Sequence, residues 1–209
     1  YLTPIWKEHF PQNDNNKTSR ITIINKQDIM CNYDILIYIL KTYNPFFFEK
    51  INVKTIKVLL INYYKLYLNN SNKDIRKLVR NKFKFEQKKA ESKMLSKGAN
   101  IEHIIMSEDY KLTETDFLCI AFHMSIPIVI YYQGRNKIKV SNFSKNNNKP
   151  DDEKAYFFMN TRNNKDFHLN EYNKSFLIPY KELSDELQEK LINKSFDSFQ
   201  QYLATVLRK

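Results

Sequence analysis

The chain carries only two glycines, Gly98 and Gly134, in 209 residues. Glycine is the residue that reaches positive φ without steric cost. A chain this poor in glycine has few tight left-handed turns to spend, and it cannot build a glycine-rich phosphate cradle. Neither a Walker-type loop nor a dinucleotide-binding fingerprint is present. Nucleotide chemistry of those two kinds is therefore excluded.

The core has to come from bulk. Hydrophobic residues make up 42% of the chain, with 15 Phe and 14 Tyr among them, enough for a real core, and the length fits one domain or one domain plus a helical appendage. No apolar run approaches the roughly 20 residues of a membrane span, and no signal peptide is visible. The first residue is Tyr1, as in a fragment or a trimmed chain. The two cysteines, Cys31 and Cys119, fit a reduced, intracellular setting. With no C-x-x-C and no H-E-x-x-H pair, neither a metal nor another cofactor is expected.

Hydrophobic patterning predicts mixed elements. Residues 1–18 read as an irregular leading segment anchored by Trp6 and Phe10. Ser19–Asn25 is β-branched and alternating, as in a short strand. Cys31–Thr42 is apolar almost all round, as in a buried helix, and Asn44-Pro45 ends it. Ile56, Leu59, Leu60, Tyr63, Leu66 and Tyr67 recur at helical spacing over 53–68, and Asn69–Asn72 breaks the run. A charged helical stretch follows over 73–97, with Gly98 as its stop. Asn100–Ile105 reads as a loop or edge. Thr113-x-x-Asp116 is a capping-box-like start to a short buried helix through Met124, closed by Ser125 and Pro127. Strands are expected at Pro127–Tyr132, Lys137–Asn142, Ala155–Asn160 and Asp166–Tyr172. The first two form a hairpin about Gln133–Asn136, and Ser144–Glu153 is a polar loop. Residues 180–208 read as an amphipathic helix or helix pair. The expected class is α+β, a largely antiparallel central sheet flanked by helices.

Two residues stand out chemically. Cys31 opens a helix, where partial positive charge and free N–H groups favour thiolate and can stabilise an oxyanion. A buried, inert cysteine is the plainer reading. Of the four histidines, His9 lies in the leading segment, His103 in the loop or edge, and His123 in an apolar helix as a core or helix-end residue. His168 lies in a late strand, two residues before Asn170, so both point to one strand face. An Asn beside a histidine can hold the imidazole tautomer that a Cys–His pair needs. A strand turning polar residues outward explains the same spacing.

Three segments resemble the OTU (ovarian tumour) cysteine proteases. Asp28-Ile-Met-Cys31-Asn-Tyr33 is similar to the family's nucleophile motif of Asp-Gly-Asn-Cys, any residue, then an aromatic. Asp28, Cys31 and Tyr33 match it, while Ile29 and Met30 depart from it. Ser107 through Tyr131 resembles the family's aromatic, short helix and buried strand, with Tyr110 where a tryptophan is usual. His168-Leu169-Asn170 resembles its histidine, aromatic, Asp or Asn ending, with Leu169 departing. The resemblance covers about residues 19–175, and the divergent motifs look like those carried by large DNA viruses.

This resemblance implies an OTU-like protease domain over 19–178, with a basic insertion at 73–97 and a C-terminal helical extension at 179–209. It implies a thiol isopeptidase that removes ubiquitin or a ubiquitin-like modifier. Cys31 would be the nucleophile, His168 the base and Asn170 its orienter. Asp28, Ile29 and Met30 would form the oxyanion loop, and Tyr33, Tyr110 and Phe167 would contact substrate. The setting would be a cytoplasm, a host cytoplasm or a virion.

Two rival readings stand beside it. The net charge of +11 and the lysines and arginines of 73–97 fit a nucleic-acid-binding or virion scaffold protein. Lysines scattered by codon bias over a solvated surface explain the same charge. An OTU-like fold kept only for binding is the third reading.

Overall fold

A computed structural model describes residues 31–69, 100–132, 137–141, 155–161, 166–172 and 174–193. Several expected features lie outside the described residues: the 1–18 segment, the strand at 19–25, the basic stretch 73–97 with Gly98, the turn at 133–136, the loop at 144–153 and the apolar positions from Phe196 onward. The chain divides into two compact units, one of Gln27–Ile120 and one of Tyr1–Lys26 with Ala121–Lys209.

The first unit is built on helices. Helix α1 (Cys31–Tyr43) buries Tyr33, Ile35, Leu36, Ile39 and Leu40 and exposes Asp34, Tyr38 and Lys41. Helix α2 (Val53–Leu68) starts where the Asn52 side chain accepts the Thr55 N–H at 3.0 Å. It ends at Asn69, where the sequence pattern breaks. Its buried positions Ile56, Leu60, Ile61, Tyr64 and Tyr67 keep a helical period, but the buried face is turned from the expected one: Leu59 and Tyr63 are half-buried and Leu66 is exposed. Helix α3 (Ile101–Met106) packs against α2, and Lys65 Nζ reaches Glu102 Oε2 at 2.7 Å. The sequence reading placed a loop or edge here. The helix is under two turns long, so its only signals are the i, i+3, i+4 spacing of the buried Ile101, Ile104 and Ile105 and Asn100, whose side chain caps Glu102 N.

Helix α4 (Glu114–His123) begins as a capping box. The Asp116 carboxylate reaches back to the Thr113 N–H at 2.8 Å. The helix ends in a Schellman turn. Ile126 N–H donates to Ala121 O at 2.8 Å and Ser125 N–H to Phe122 O, with Ser125 left-handed at φ 55°.

The second unit holds a five-stranded sheet. Strand β1 (Ile128–Tyr132) pairs antiparallel with β2 (Lys137–Ser141) and parallel with β3 (Ala155–Thr161). The far side of β3 is shared. Its C-terminal half pairs with β4 (Phe167–Leu169) and its N-terminal half with β5 (Leu177–Pro179), both antiparallel. Three of the four pairings are thus antiparallel, as expected, with a parallel pair at the centre. The strand expected over 166–172 is shorter because β5 takes over the edge of β3 at Phe157.

One face of this sheet carries Val129, Tyr131, Tyr156, Phe158 and Ile178. Tyr180, Leu183 and Leu187 complete that cluster, from a 3-10 turn (Tyr180–Glu182) and helix α5 (Asp185–Asn193). The segment beginning at 179 therefore belongs to the same core as the strands. Among the described residues no helix is long and apolar enough to cross a membrane.

Candidate active site

The candidate residues fall in both units. In the first unit, Cys31 is the first residue of the thirteen-residue helix α1. Such a position places a residue among N–H groups that have no partner within the helix. Asn32 secures this end, since its Nδ2 donates to Leu112 O at 2.9 Å. Asp28, Ile29 and Met30, the expected oxyanion loop, lie outside the described residues.

Tyr33 and Tyr110, expected to contact substrate, are interior residues, 1% and 0% exposed. Tyr33 Oη donates to Tyr110 O at 3.0 Å, and burial, with Asp116 nearby, raises its phenol well above the usual range. Tyr110 Oη donates to both carboxylate oxygens of Asp116 at 3.1 Å. Asp116, fully buried, also accepts from Tyr64 Oη at 2.6 Å and from the Thr113 hydroxyl at 3.1 Å. The Tyr64 and Tyr110 phenols thus join α2 and the segment before α4 to one carboxylate, and Tyr33 ties α1 to the same segment through the Tyr110 carbonyl. Phe167 is likewise interior, at 1% exposure. The resemblance gave these three as substrate contacts, and an aromatic at such a position serves a core equally well.

A buried lysine was missed by the sequence reading. Lys57 lies among the buried positions of α2, its Nζ 5.7 Å from the centre of the Tyr33 ring, and donates to Ser107 O at 2.8 Å. Burial lowers its pKa, and Glu108 opposes that shift. Cys119 is a buried free thiol that donates to Tyr67 Oη across 4.0 Å, which fits a structural residue.

In the second unit, His168 is the middle residue of β4 and is half-buried. Asn170 follows on the same face, fully buried. Its backbone N–H and its side-chain Nδ2 both donate to Phe158 O, at 2.8 and 3.1 Å. Phe158 lies between the residues of β3 that pair with β4 and those that pair with β5. Asn170 thus fills the gap where one edge strand hands over to the other. A carbonyl accepts only from the NH₂ end of an amide, so this contact fixes which end of Asn170 is free. Its Oδ1 is buried and accepts no hydrogen bond.

Directly across from His168 on β3 stands Asn160, 1% exposed. Its Oδ1 is also buried and accepts no hydrogen bond. The sequence reading did not single it out, because an Asn in an apolar strand gives no period or motif. Of the other histidines, His103 lies exposed on α3. His123 ends α4 edge-on to Phe122, with ring centres 5.4 Å apart. Burial lowers its pKa to about 4, so it is neutral at pH 7. Among the described residues no cluster of His, Cys, Asp and Glu is arranged to hold a metal ion.

No family model, curated protein or solved structure matches this chain.

Proposed function

We propose that the chain is a thiol-dependent isopeptidase with an OTU-like fold, acting on conjugates of ubiquitin or a ubiquitin-like modifier inside a cell. One observation carries the reading. His168 shares a strand face with an Asn whose amide is pinned by its NH₂ end, leaving a buried oxygen as the acceptor an imidazole N–H requires. The start of α1 at Cys31 supports it, because a helix N-terminus favours thiolate.

In this mechanism the Cys31 thiol gives its proton to His168, and the thiolate attacks the carbonyl carbon of the modifier's C-terminal residue. The tetrahedral oxyanion forms against backbone N–H groups at the start of α1. It collapses with cleavage of the C–N bond as the imidazolium protonates the leaving lysine amine. A water, deprotonated by His168, then hydrolyses the thioester, releasing the modifier's carboxylate and the free thiol. Asn170 holds the ring tautomer throughout.

The test is covalent labelling by a panel of modifier probes carrying a C-terminal electrophile. Wild type is expected to form an adduct with at least one probe, Cys31→Ala with none. Asn170→Ala is expected to label about tenfold more slowly or worse. A wild-type protein inert to every probe removes the isopeptidase reading.

A further inference from the structure

We infer that Asn160 is a second positioning residue for His168, its Oδ1 accepting a ring N–H across the β3–β4 ladder. The effect on rate rests on the proposed role of His168 as base. The hydrogen bond itself does not.

The register sets the geometry. Asn160 and His168 are directly opposed, so their side chains leave the sheet on the same face. Directly opposed Cβ atoms stand about 5 Å apart, whereas Asn170 is two residues along the strand from His168, about 6.6 Å at the usual rise. Asn160 is therefore the nearer amide. Both amides are buried, and each carries an Oδ1 that accepts nothing. A buried acceptor without a donor is destabilising and calls for a partner.

Among the described strand residues, Phe158, Tyr131, His168 and Asn170 share this face around Asn160, and the Asn170 NH₂ group is already given to Phe158 O. Phe158, two residues earlier, offers no side-chain donor. Tyr131, its β1 partner, carries its hydroxyl at the far end of a six-membered ring, beyond the reach of a short amide directly opposite. His168, directly opposite on β4, carries ring N–H groups that can donate. Rotation about χ2, which is broad for histidine, brings one to Asn160. Such bonds often tighten only when substrate is bound. An Asn oxygen that holds one ring N–H leaves the other nitrogen to act as the base, and keeps its hydrogen bond when the imidazolium forms.

The experiment reads the ring directly. The full chain is labelled with ¹⁵N-histidine, the His168 signals are assigned with His168→Gln, and tautomer and pKa are followed by long-range ¹H–¹⁵N correlation. Wild type is expected to hold one tautomer. Asn160→Ala should release it to a mixture and slow probe labelling about tenfold, with Asn170 intact. Asn160→Asp should restore the single tautomer and raise the His168 pKa by about one unit, since a carboxylate accepts the same bond and adds charge. Asp166, exposed two residues before His168, is unchanged in every variant and contributes equally. Should Asn160→Ala fail to fold, Asn160→Asp carries the test.

A wild-type ring that exchanges freely between tautomers overturns the inference. So does an Asn160→Ala ring that keeps the wild-type tautomer, which would mean that Asn170 alone orients it. An Asn160→Asp ring with unchanged pKa does the same. A wild type that labels with no probe removes the isopeptidase reading, and the tautomer result still decides the hydrogen bond.

Discussion

At the scale of single residues, Asp116 holds more of the first unit together than any catalytic candidate. It accepts from Tyr64, Tyr110 and the hydroxyl and N–H of Thr113. Removing the acceptor leaves several donors buried and unpaired, and each costs about 1–3 kcal/mol. Asp116→Ala is expected to lower the unfolding free energy in urea by about 3–5 kcal/mol. Tyr64→Phe removes a single donor and should cost about 1–2 kcal/mol. A loss below about 1 kcal/mol for Asp116→Ala would show that the phenols find other partners. The Thr113-x-x-Asp116 spacing revealed the cap but not the tyrosines, because a capping box is local in sequence. Tyr64 lies 52 residues away. For the same reason Tyr33 and Tyr110 read as substrate contacts: an aromatic at a motif position looks alike whether its ring faces a ligand or a carboxylate.

At the scale of elements, shortage of glycine leaves a mark at the end of α4. The Schellman turn needs a left-handed residue and receives Ser125, at φ 55°. A residue with a Cβ pays about 1–2 kcal/mol there. Glycine relieves that strain but loses part of the gain to a freer unfolded chain. Ser125→Gly should therefore stabilise by about 0.5–1 kcal/mol, seen as a raised urea midpoint at unchanged slope. An unchanged or lowered midpoint would mean that the serine side chain contributes to the turn. Legibility followed the strength of the repeat. Helix α2 was readable as a helix because its apolar residues recur at helical spacing, though only Ile56, Leu60 and Tyr67 of the expected face are buried. The β1–β2 hairpin was readable because a Gly-containing turn separates two β-branched runs. Helix α3 was not, because Ile101, Ile104 and Ile105 show the spacing for less than two turns. The boundary between β4 and β5 was not, because it is set by which half of β3 each strand pairs with, a long-range choice with no local signature. The His168–Asn170 pair could be read from its i, i+2 spacing. Asn160 could be found only once the register was known.

At the scale of the whole molecule, acid should act through His123 as well as through the net charge of +11. A helix C-terminus favours imidazolium, yet burial wins and lowers the His123 pKa from 6.5 to about 4. The unfolded chain therefore takes up this proton first as pH falls. Stability attributable to neutral His123 is fully present above about pH 6.5 and is lost progressively down to about pH 4. His123→Gln removes this proton uptake. Urea unfolding of both proteins across that window should show wild type losing stability relative to the variant, and parallel curves would rule the effect out. The shared edge of β3 has a further consequence, for behaviour at high concentration. An exposed edge invites a neighbouring chain to add a strand in proportion to its unbroken length. Among the described residues the outer side is two three-residue pieces, β4 and β5, with a break between them opposite Phe158. A foreign strand would find only three residues to pair with before the template stops.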